Sequence, residues 1–423
     1  MQNKIITLSI VFFMSFLGMK AQVNTSSPYS RFGIGEIENF SLGRSKSMGG
    51  ISSGMRLPFE INIQNPASYT VIPKHVFLFQ VGLNAKRTDY STSNENITNY
   101  DFSLASINAG LSVNKYWGMS FGLTPVSSIG YNIQSTDSVT LNGYTSKYSN
   151  LYTGEGGISQ LYLGNAFVYK GLSLGINASY YFGALSKNTE TLMSETGYTS
   201  YLVDKENIKV KDIHLRYGLQ YNDSIFNKYN FTIGGFFENK TDLNARLLKY
   251  TNRTITVGGD ATVSDTIIND TIKSGNIGMP MSYGFGFSFM TKQFIFGADY
   301  ETSNWKDVLM FNEVQTSLTN SSKVSFGIEF TNDYLSKQYL KTLNYRIGGY
   351  YGKSNLLINN TQINDMGINF GIGIPTKNGT KINIAFGIGK KGTIENNLIK
   401  ENYYTVNLNF NLADRWFVRR KFF

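Results

Sequence analysis

Cysteine is absent from this 423-residue chain, and histidine occurs only twice. Without cysteine the chain can carry neither a disulfide framework nor a lipid-modified cysteine. The two histidines, His75 and His214, are accompanied by neither a Gly-x-Ser-x-Gly nor a His-Glu-x-x-His motif, so catalysis finds little support. We therefore expect no enzyme, no cofactor and no metal site.

Long apolar runs are also missing after the first residues of the chain. The stretch from Ile5 to Met19 is uncharged and mostly apolar, follows Lys4 and ends at Lys20. It has about 15 residues, whereas a membrane-spanning helix needs roughly 20. The pattern predicts a secretory signal peptide over 1–21, with an N-terminal anchor helix as the alternative.

Charge is sparse, at 16% of residues, and basic side chains exceed acidic ones to give a formal charge of +10. The basic residues are scattered rather than clustered, which argues against a nucleic-acid partner. A basic surface beside anionic lipid head groups explains the balance more simply.

What the chain does contain is alternation with a period of two. Near its end, every second residue from Tyr404 to Leu412 is apolar, and threonine or asparagine stands between them. Hydrophobic residues make up 41% of the chain, and there are 30 Phe and 28 Tyr. This composition is typical of membrane barrel strands that have one face in lipid, one face in water, and aromatic girdles at the interfaces.

About fourteen segments alternate well enough to span a bilayer. They lie near 75–90, 98–113, 116–133, 157–169, 172–187, 207–222, 228–248, 279–291, 292–304, 321–331, 341–352, 361–374, 379–390 and 400–417. The phase changes between Leu104 and Ile107, which predicts a bulge there.

The links between these segments alternate between long and short. Long polar links are expected at 134–156, 188–206, 249–278 and 305–320, whereas the links between them are short turns. Bacterial barrels have short periplasmic turns and long outer loops. We predict an all-β fold, a transmembrane antiparallel β-barrel over 74–423, with both chain ends in the periplasm; a soluble sandwich is the alternative.

Residues 22–73 do not alternate and are rich in glycine. A polar segment tethered to the start of a barrel can fold into the lumen as a hatch or plug. A disordered tail is the alternative.

Two stretches resemble a known family. Ser41-Leu42-Gly43-Arg44, Met48-Gly49-Gly50-Ile51 and Asn65-Pro66-Ala67-Ser68 resemble the N-terminal hatch of the FadL/TodX family of hydrophobic-compound transporters. Val113-Asn114-Lys115, and then 117–125 ending in Thr124-Pro125, resemble that family's turn into a proline-bearing third strand. The resemblance covers about 41–131. It implies hatch residues at Arg44, Gly49, Gly50, Asn65, Pro66 and Ala67, although Asn65-Pro66-Ala67 can equally be an ordinary turn.

Pro125 is predicted to interrupt a strand, because proline has no N–H to give to the ladder. In the FadL/TodX family a kink in the third strand opens a lateral gate for a hydrophobic ligand. This chain reads Pro125-Val126-Ser127 where the family often has Pro-Phe-Gly. The sequence is compatible with two alternatives at this position, a tolerated bulge and a working gate.

The strand phase also predicts a polar lumen. Its charged members carry both signs. This favours a hydrogen-bonded network that holds a plug, rather than an ion-selective pore or a ligand site. The predicted members are Asp212, His214, Arg216, Asp299, Glu329, Arg346 and Lys381.

The resemblance implies passive uptake of small hydrophobic molecules across the outer membrane of a Gram-negative bacterium. The alternative is a non-transporting barrel subunit of a secretion or outer-membrane assembly machine. Outer-membrane lipids are expected partners in either case. A hydrophobic small molecule would fit the first reading, and protein partners would fit the second.

Overall fold

A computed structural model describes residues 25–38, 40–41, 43–141, 144–195, 198–226, 229–257, 261–376 and 379–416. The predicted signal peptide over 1–21 and the basic residues 419–421 lie outside these ranges. Among the helices within the described residues, none is both long and apolar enough to cross a membrane.

Fourteen antiparallel strands form a closed barrel, which confirms the predicted fold class. The last strand pairs with the first, from Lys400↔Ser91 to Arg415↔Val76, and so closes the ring. The barrel strands are β2 Val76–Ser91, β3 Asn96–Ser112, β4 Trp117–Leu141, β5 Tyr144–Tyr169, β6 Leu172–Glu195, β7 Tyr198–Ile225, β8 Tyr229–Glu238, β11 Ser282–Met290, β12 Phe294–Ser303, β15 Ser321–Thr331, β16 Asn344–Ile358, β17 Thr361–Pro375, β18 Lys381–Lys391 and β19 Lys400–Arg415.

Strand β17 shows why this sequence forms a transmembrane wall. The outward side chains of Met366, Ile368, Phe370 and Ile372 are 37–54% exposed, while Asn369 between them is buried in the interior. The same pattern on the other strands builds a continuous apolar belt around the barrel. A belt of this kind is the surface that a β-barrel presents to lipid.

The two ends of the barrel differ in the length of their connections. At one end the strands meet in short turns, and Val76 and Arg415 both lie there. At the other end, which we call the outer end, β4–β5 and β6–β7 continue as hairpins as far as Leu141↔Tyr144 and Glu195↔Tyr198. The expected loops 134–156 and 188–206 are therefore largely paired strand.

One predicted strand is wrong. The segment 228–248 contains the whole of barrel strand β8 and the start of another strand, separated at Asn239 and Lys240. The second part belongs to β9 Thr241–Val257, which pairs with β10 Ala261–Met279 and with the outer half of β7. Because each strand buries one face, the alternation continues across the break, and the sequence pattern cannot show that β9 leaves the wall.

One irregular position agrees with the sequence. Gly82 pairs with Ser106 and Leu83 pairs with Leu104, so Ala105 is the extra residue of a bulge at the predicted phase change. In the link 305–320, two short strands, β13 Leu309–Met310 and β14 Glu313–Val314, pack over the outer end.

The described residues of 25–73, which we call the N-terminal segment, lie inside the barrel. The segment contains 3₁₀ turns at Pro28–Arg31 and Pro66–Val71, a two-residue strand β1 Glu36–Ile37, and a helical turn α1 Gly43–Ser47. A second short helix, α2 Tyr339–Thr342, belongs to the turn before β16. The N-terminal segment packs closely against the wall: a Cβ on Gly49 would lie 2.4 Å from the carbonyl oxygen of Gly349.

The apolar belt leads to the first prediction. Phe370→Arg places a charge near the middle of the belt, so the free energy of unfolding in lipid vesicles should fall by about 2–4 kcal/mol. Ser93→Arg, in the exposed turn between β2 and β3, is the control and should change it little. Equal effects of both substitutions in urea titrations would show that the belt does not face lipid.

Candidate functional site

The first feature of the interior is a buried ion-pair cluster near the short-turn end. The Glu329 carboxylate lies 2.7 Å from Arg44 Nε and 2.6 Å from Arg346 Nε. Glu60 lies 3.4 Å from Arg44, and Arg346 donates to the Asn383 side chain at 2.8 Å. The cluster therefore joins the N-terminal segment to β15, β16 and β18 of the wall. Lys381 is half-buried nearby and makes no direct ion pair within the described ranges.

At mid-height, side chains of the wall form hydrogen bonds with the backbone of the N-terminal segment. The Asp299 carboxylate accepts hydrogen bonds from the N–H groups of Ser52 and Ser53 at 2.5 and 2.7 Å. Gln220 donates to the carbonyl oxygen of Ser53 at 3.0 Å. These bonds satisfy backbone groups that would otherwise be unpaired in the interior.

Asn65 links the same segment to β7 of the wall. Its amide donates to Ser53 O at 2.8 Å and to Leu219 O at 3.2 Å, while its oxygen accepts from Ala67 N. Pro66 and Ala67 then pass so close to the wall that a Cβ on Gly175 would lie 2.4 Å from Ala67 N. Asn65, Pro66 and Ala67 therefore act together as one contact.

Nearer the outer end, Arg216 joins the wall to the N-terminal segment. Its guanidinium lies 2.7 Å from Glu238 and donates to Gln64 O at 2.9 Å. His214 lies 3.6 Å from Glu238. Asp212 does not join this group, because its carboxylate accepts from the backbone and side-chain amides of Asn244 on β9.

A further cluster, which the sequence reading missed, surrounds Glu36 in β1. Lys391 lies 2.8 Å from this carboxylate and Lys86 lies 3.9 Å from it. Burial favours a raised pKa, but the positive charges of Lys391 and Lys86 outweigh it and hold the pKa of Glu36 well below its usual range. Glu401 is fully buried beside them and accepts a hydrogen bond from Ser27. The alternation along their strands places Lys86, Lys391 and Glu401 on the inward face, and this pattern is the sequence signal that could have revealed the cluster.

Apolar side chains fill the interior above and below these polar contacts. At the outer end a large cluster includes Ile34 of the N-terminal segment, Ile129 and Leu185 of the hairpins, and Trp305 and Phe311 of the 305–320 link. Around Tyr69 and Tyr162 a smaller cluster lies toward the short-turn end. The described interior is thus packed near both ends.

Two cavities remain beside β1. The first, of about 290 Å³, is lined by both apolar and charged groups, among them Phe40, Phe236, Met279, His214 and Arg216. The second, of about 270 Å³, is more polar and lies against Lys46, Lys86 and Lys391. Ile37 and Glu38 line both cavities, so β1 separates them. The described residues contain no cluster of three or more histidine, aspartate or glutamate side chains that could hold a metal ion.

The wall itself is interrupted at Pro125, where a ladder gap was expected. The ladder between β3 and β4 ends at Ile107↔Leu123, and the ladder between β4 and β5 shifts register between Pro125 and Ser127. Beyond this point β4 pairs with the N-terminal segment instead, through Ile37↔Ser127 and Glu36↔Ser128. We call the opening between the outer halves of β3 and β4 the seam.

The buried cluster leads to the second prediction. Glu329→Gln removes the negative charge between Arg44 and Arg346 and leaves these two buried cations with only Glu60 to compensate them. The free energy of unfolding should fall by about 3–5 kcal/mol. Glu95→Gln, in an exposed turn, is the control. An unchanged denaturant midpoint for Glu329→Gln would mean that the cluster does not hold the N-terminal segment.

Solved structures show what this architecture is similar to. The toluene transporter TodX of Pseudomonas putida superposes with a TM-score of 0.56 at 15% identity, over 91% of this chain and 100% of that one. The toluene transporter TbuX of Ralstonia pickettii gives 0.57 at 14% identity, over 89% and 98%. A FadL homologue of Pseudomonas aeruginosa gives 0.56 at 10% identity, over 91% and 99%. The fold is therefore FadL-like, as the resemblance implied.

Sequence comparison adds a family. Among curated proteins none matches the chain. The family model described as BamG matches residues 1–423. The chain, a FadL-like barrel in its fold, therefore belongs to the BamG family.

Proposed function

We propose that this protein is a plugged barrel of the bacterial outer membrane that serves as a subunit of a larger protein assembly, of the secretion or outer-membrane assembly kind. One observation carries the proposal: the N-terminal segment occupies the interior, apart from the two cavities beside β1, and is tied to the wall at several heights. Arg44–Glu329 at 2.7 Å lies toward the short-turn end, and Glu36–Lys391 at 2.8 Å lies nearer the outer end.

The ties make movement of the plug costly. Withdrawing the N-terminal segment would remove Arg44 from Glu329, which would keep Arg346 alone. It would also remove Glu36 from Lys391 and Lys86, and these two buried cations would keep only Glu401 beside them. An uncompensated buried charge is strongly unfavourable. The backbone bonds to Asp299 would be lost as well. The hatch residues therefore act as fixed anchors.

Because the N-terminal segment occupies most of the interior, the surface is the part of the molecule that would bind partners. The outer hairpins rise above the apolar belt and expose large apolar side chains, including Val139, Leu192, Val257, Val263 and Ile267, which are 42–63% exposed. Exposed apolar side chains on projecting hairpins suit contacts with a protein partner. The belt supplies the contacts with outer-membrane lipid.

Uptake of a small hydrophobic molecule is the second candidate, and the seam favours it. Pro125 would then form the lateral gate, as in the FadL/TodX family. A ligand from the first cavity would pass Ile37, whose side chain is 39% exposed, and reach the membrane. The similar structures named as toluene transporters support this candidate. In neither candidate does a side chain act as a catalyst.

A disulfide across β1 and β4 separates the candidates and gives the third prediction. Ile37 and Ser127 are cross-strand partners, and the hydrogen bond from Glu38 N to Val126 O makes 37/127 a non-hydrogen-bonded pair, which suits a disulfide. Because the chain has no cysteine, Ile37→Cys/Ser127→Cys can form only this bond within the chain. We expect vesicles with wild-type protein to take up toluene no faster than empty vesicles. Vesicles with the disulfide-locked variant should take up toluene at the same rate as both.

Two controls complete the test. Ile37→Ser/Ser127→Cys carries one thiol and cannot lock. Native mass spectrometry of gently extracted membranes should show wild-type and locked proteins with the same protein partner. Toluene uptake by wild-type protein that the disulfide abolishes and a reductant restores, with no partner chain in the spectra, would establish uptake instead.

A further inference from the structure

The outer half of β3 has one free edge. The turn hydrogen bond from Thr92 N to Glu95 O fixes the alternation of the β2–β3 ladder. Odd residues from Ile97 to Ser103 therefore bond to β2, and the residues between them turn their N–H and C=O groups toward the seam. The seam-facing residues are Thr98, Tyr100, Phe102 and Leu104, and within the described ranges no strand pairs with them on this side.

The opposite edge of the seam cannot close onto β3. Strand β4 leaves the β3 ladder after Leu123, and the N-terminal segment occupies it at Ser127 and Ser128. This contact is itself an added strand, but on β4 it extends only from Val126 to Gly130. The edge of β3 gains no partner from it.

Part of the free edge lies at the depth of the apolar belt. Leu83 pairs with both Leu104 and Leu408, and Ala85 pairs with both Phe102 and Val406, so these positions share the height of the belt on β19. The side chains of Phe102 and Leu104 are 40% and 41% exposed on the lipid side. Backbone N–H and C=O groups in lipid require partners, and barrels normally provide them by closure.

We propose that the seam-facing edge of β3, from Thr98 to Leu104, binds an extended strand of a different polypeptide by strand addition. This deepens, and rests on, the proposed function as an assembly subunit. The partner strand carries apolar side chains at every second position, beside Tyr100, Phe102 and Leu104, and small or polar ones toward Ser103. Lipid and small hydrophobic molecules cannot supply alternating donors and acceptors along an edge.

The experiment uses a photoreactive phenylalanine analogue at Tyr100 or Leu104 of the full chain in its native membrane. In an extended strand, residues four apart on β3 lie opposite residues four apart on the partner. We expect one polypeptide to be cross-linked from both positions, at sites about four residues apart. The analogue at Phe370, on the lipid face of β17, should give lipid adducts only.

Matched substitutions test the backbone pairing. Phe102→Pro removes a seam-facing N–H and leaves the bonds to β2 intact, whereas Phe102→Ala removes the ring and keeps the N–H. We expect the protein cross-links to fall at least tenfold in Phe102→Pro and to persist in Phe102→Ala. Thr98→Pro is a second seam-facing variant, used if Phe102→Pro does not fold.

Three results would overturn the proposal: lipid adducts alone from Tyr100 and Leu104, cross-links to a second copy of this chain, or protein cross-links that both proline variants leave unchanged. Native mass spectrometry separates this failure from that of the proposed function. A partner chain that stays bound without cross-links at the seam refutes strand addition alone. Toluene uptake with no partner chain refutes the proposed function itself.

Discussion

Every backbone N–H and C=O group at the depth of the apolar belt must find a hydrogen-bond partner, and the rest of this structure depends on that constraint. Ring closure through β19 and β2 meets it for most of the wall. The constraint also explains why the irregular positions matter. The bulge at Ala105 and the register shift after Pro125 occur on adjacent strands, where the β3–β4 ladder fails. One proline without an N–H thus has consequences along two strands.

The N-terminal segment meets the same constraint from inside. By adding β1 to the edge of β4, it satisfies backbone groups that the departure of β3 leaves free. Its other polar groups are paired with wall residues such as Asp299 and Asn177, the latter donating to Ile63 O at 3.1 Å. A segment with so little regular secondary structure can be stable in this position because the wall supplies the partners that a sheet or helix would otherwise provide.

The sequence was sufficient for the wall and for part of the interior. Alternation on β17 identified a spanning strand, and phase alone placed Glu329 and Arg346 inside. Arg44, the partner of Glu329, was predicted as a hatch residue from the family resemblance and not from strand alternation. Phase could not show that Asp212 would bond to β9, because β9 was assigned to the wall. The Glu36–Lys391 pair was missed because its members are 355 residues apart and only the folded register brings them together.

The buried charges argue for specificity more than for stability. Arg44 and Arg346 face Glu329 and Glu60, and Lys86 and Lys391 face Glu36 and Glu401, so each cluster balances its charges. Apolar side chains of similar size could fill the same space at equal or lower free energy. A shifted plug would, however, separate Arg44 from Glu329 and Glu36 from Lys391 at once, and Lys86 and Lys391 would then face Glu401 alone. The interior therefore favours a single position of the N-terminal segment, and with it a single geometry of β1 at the seam.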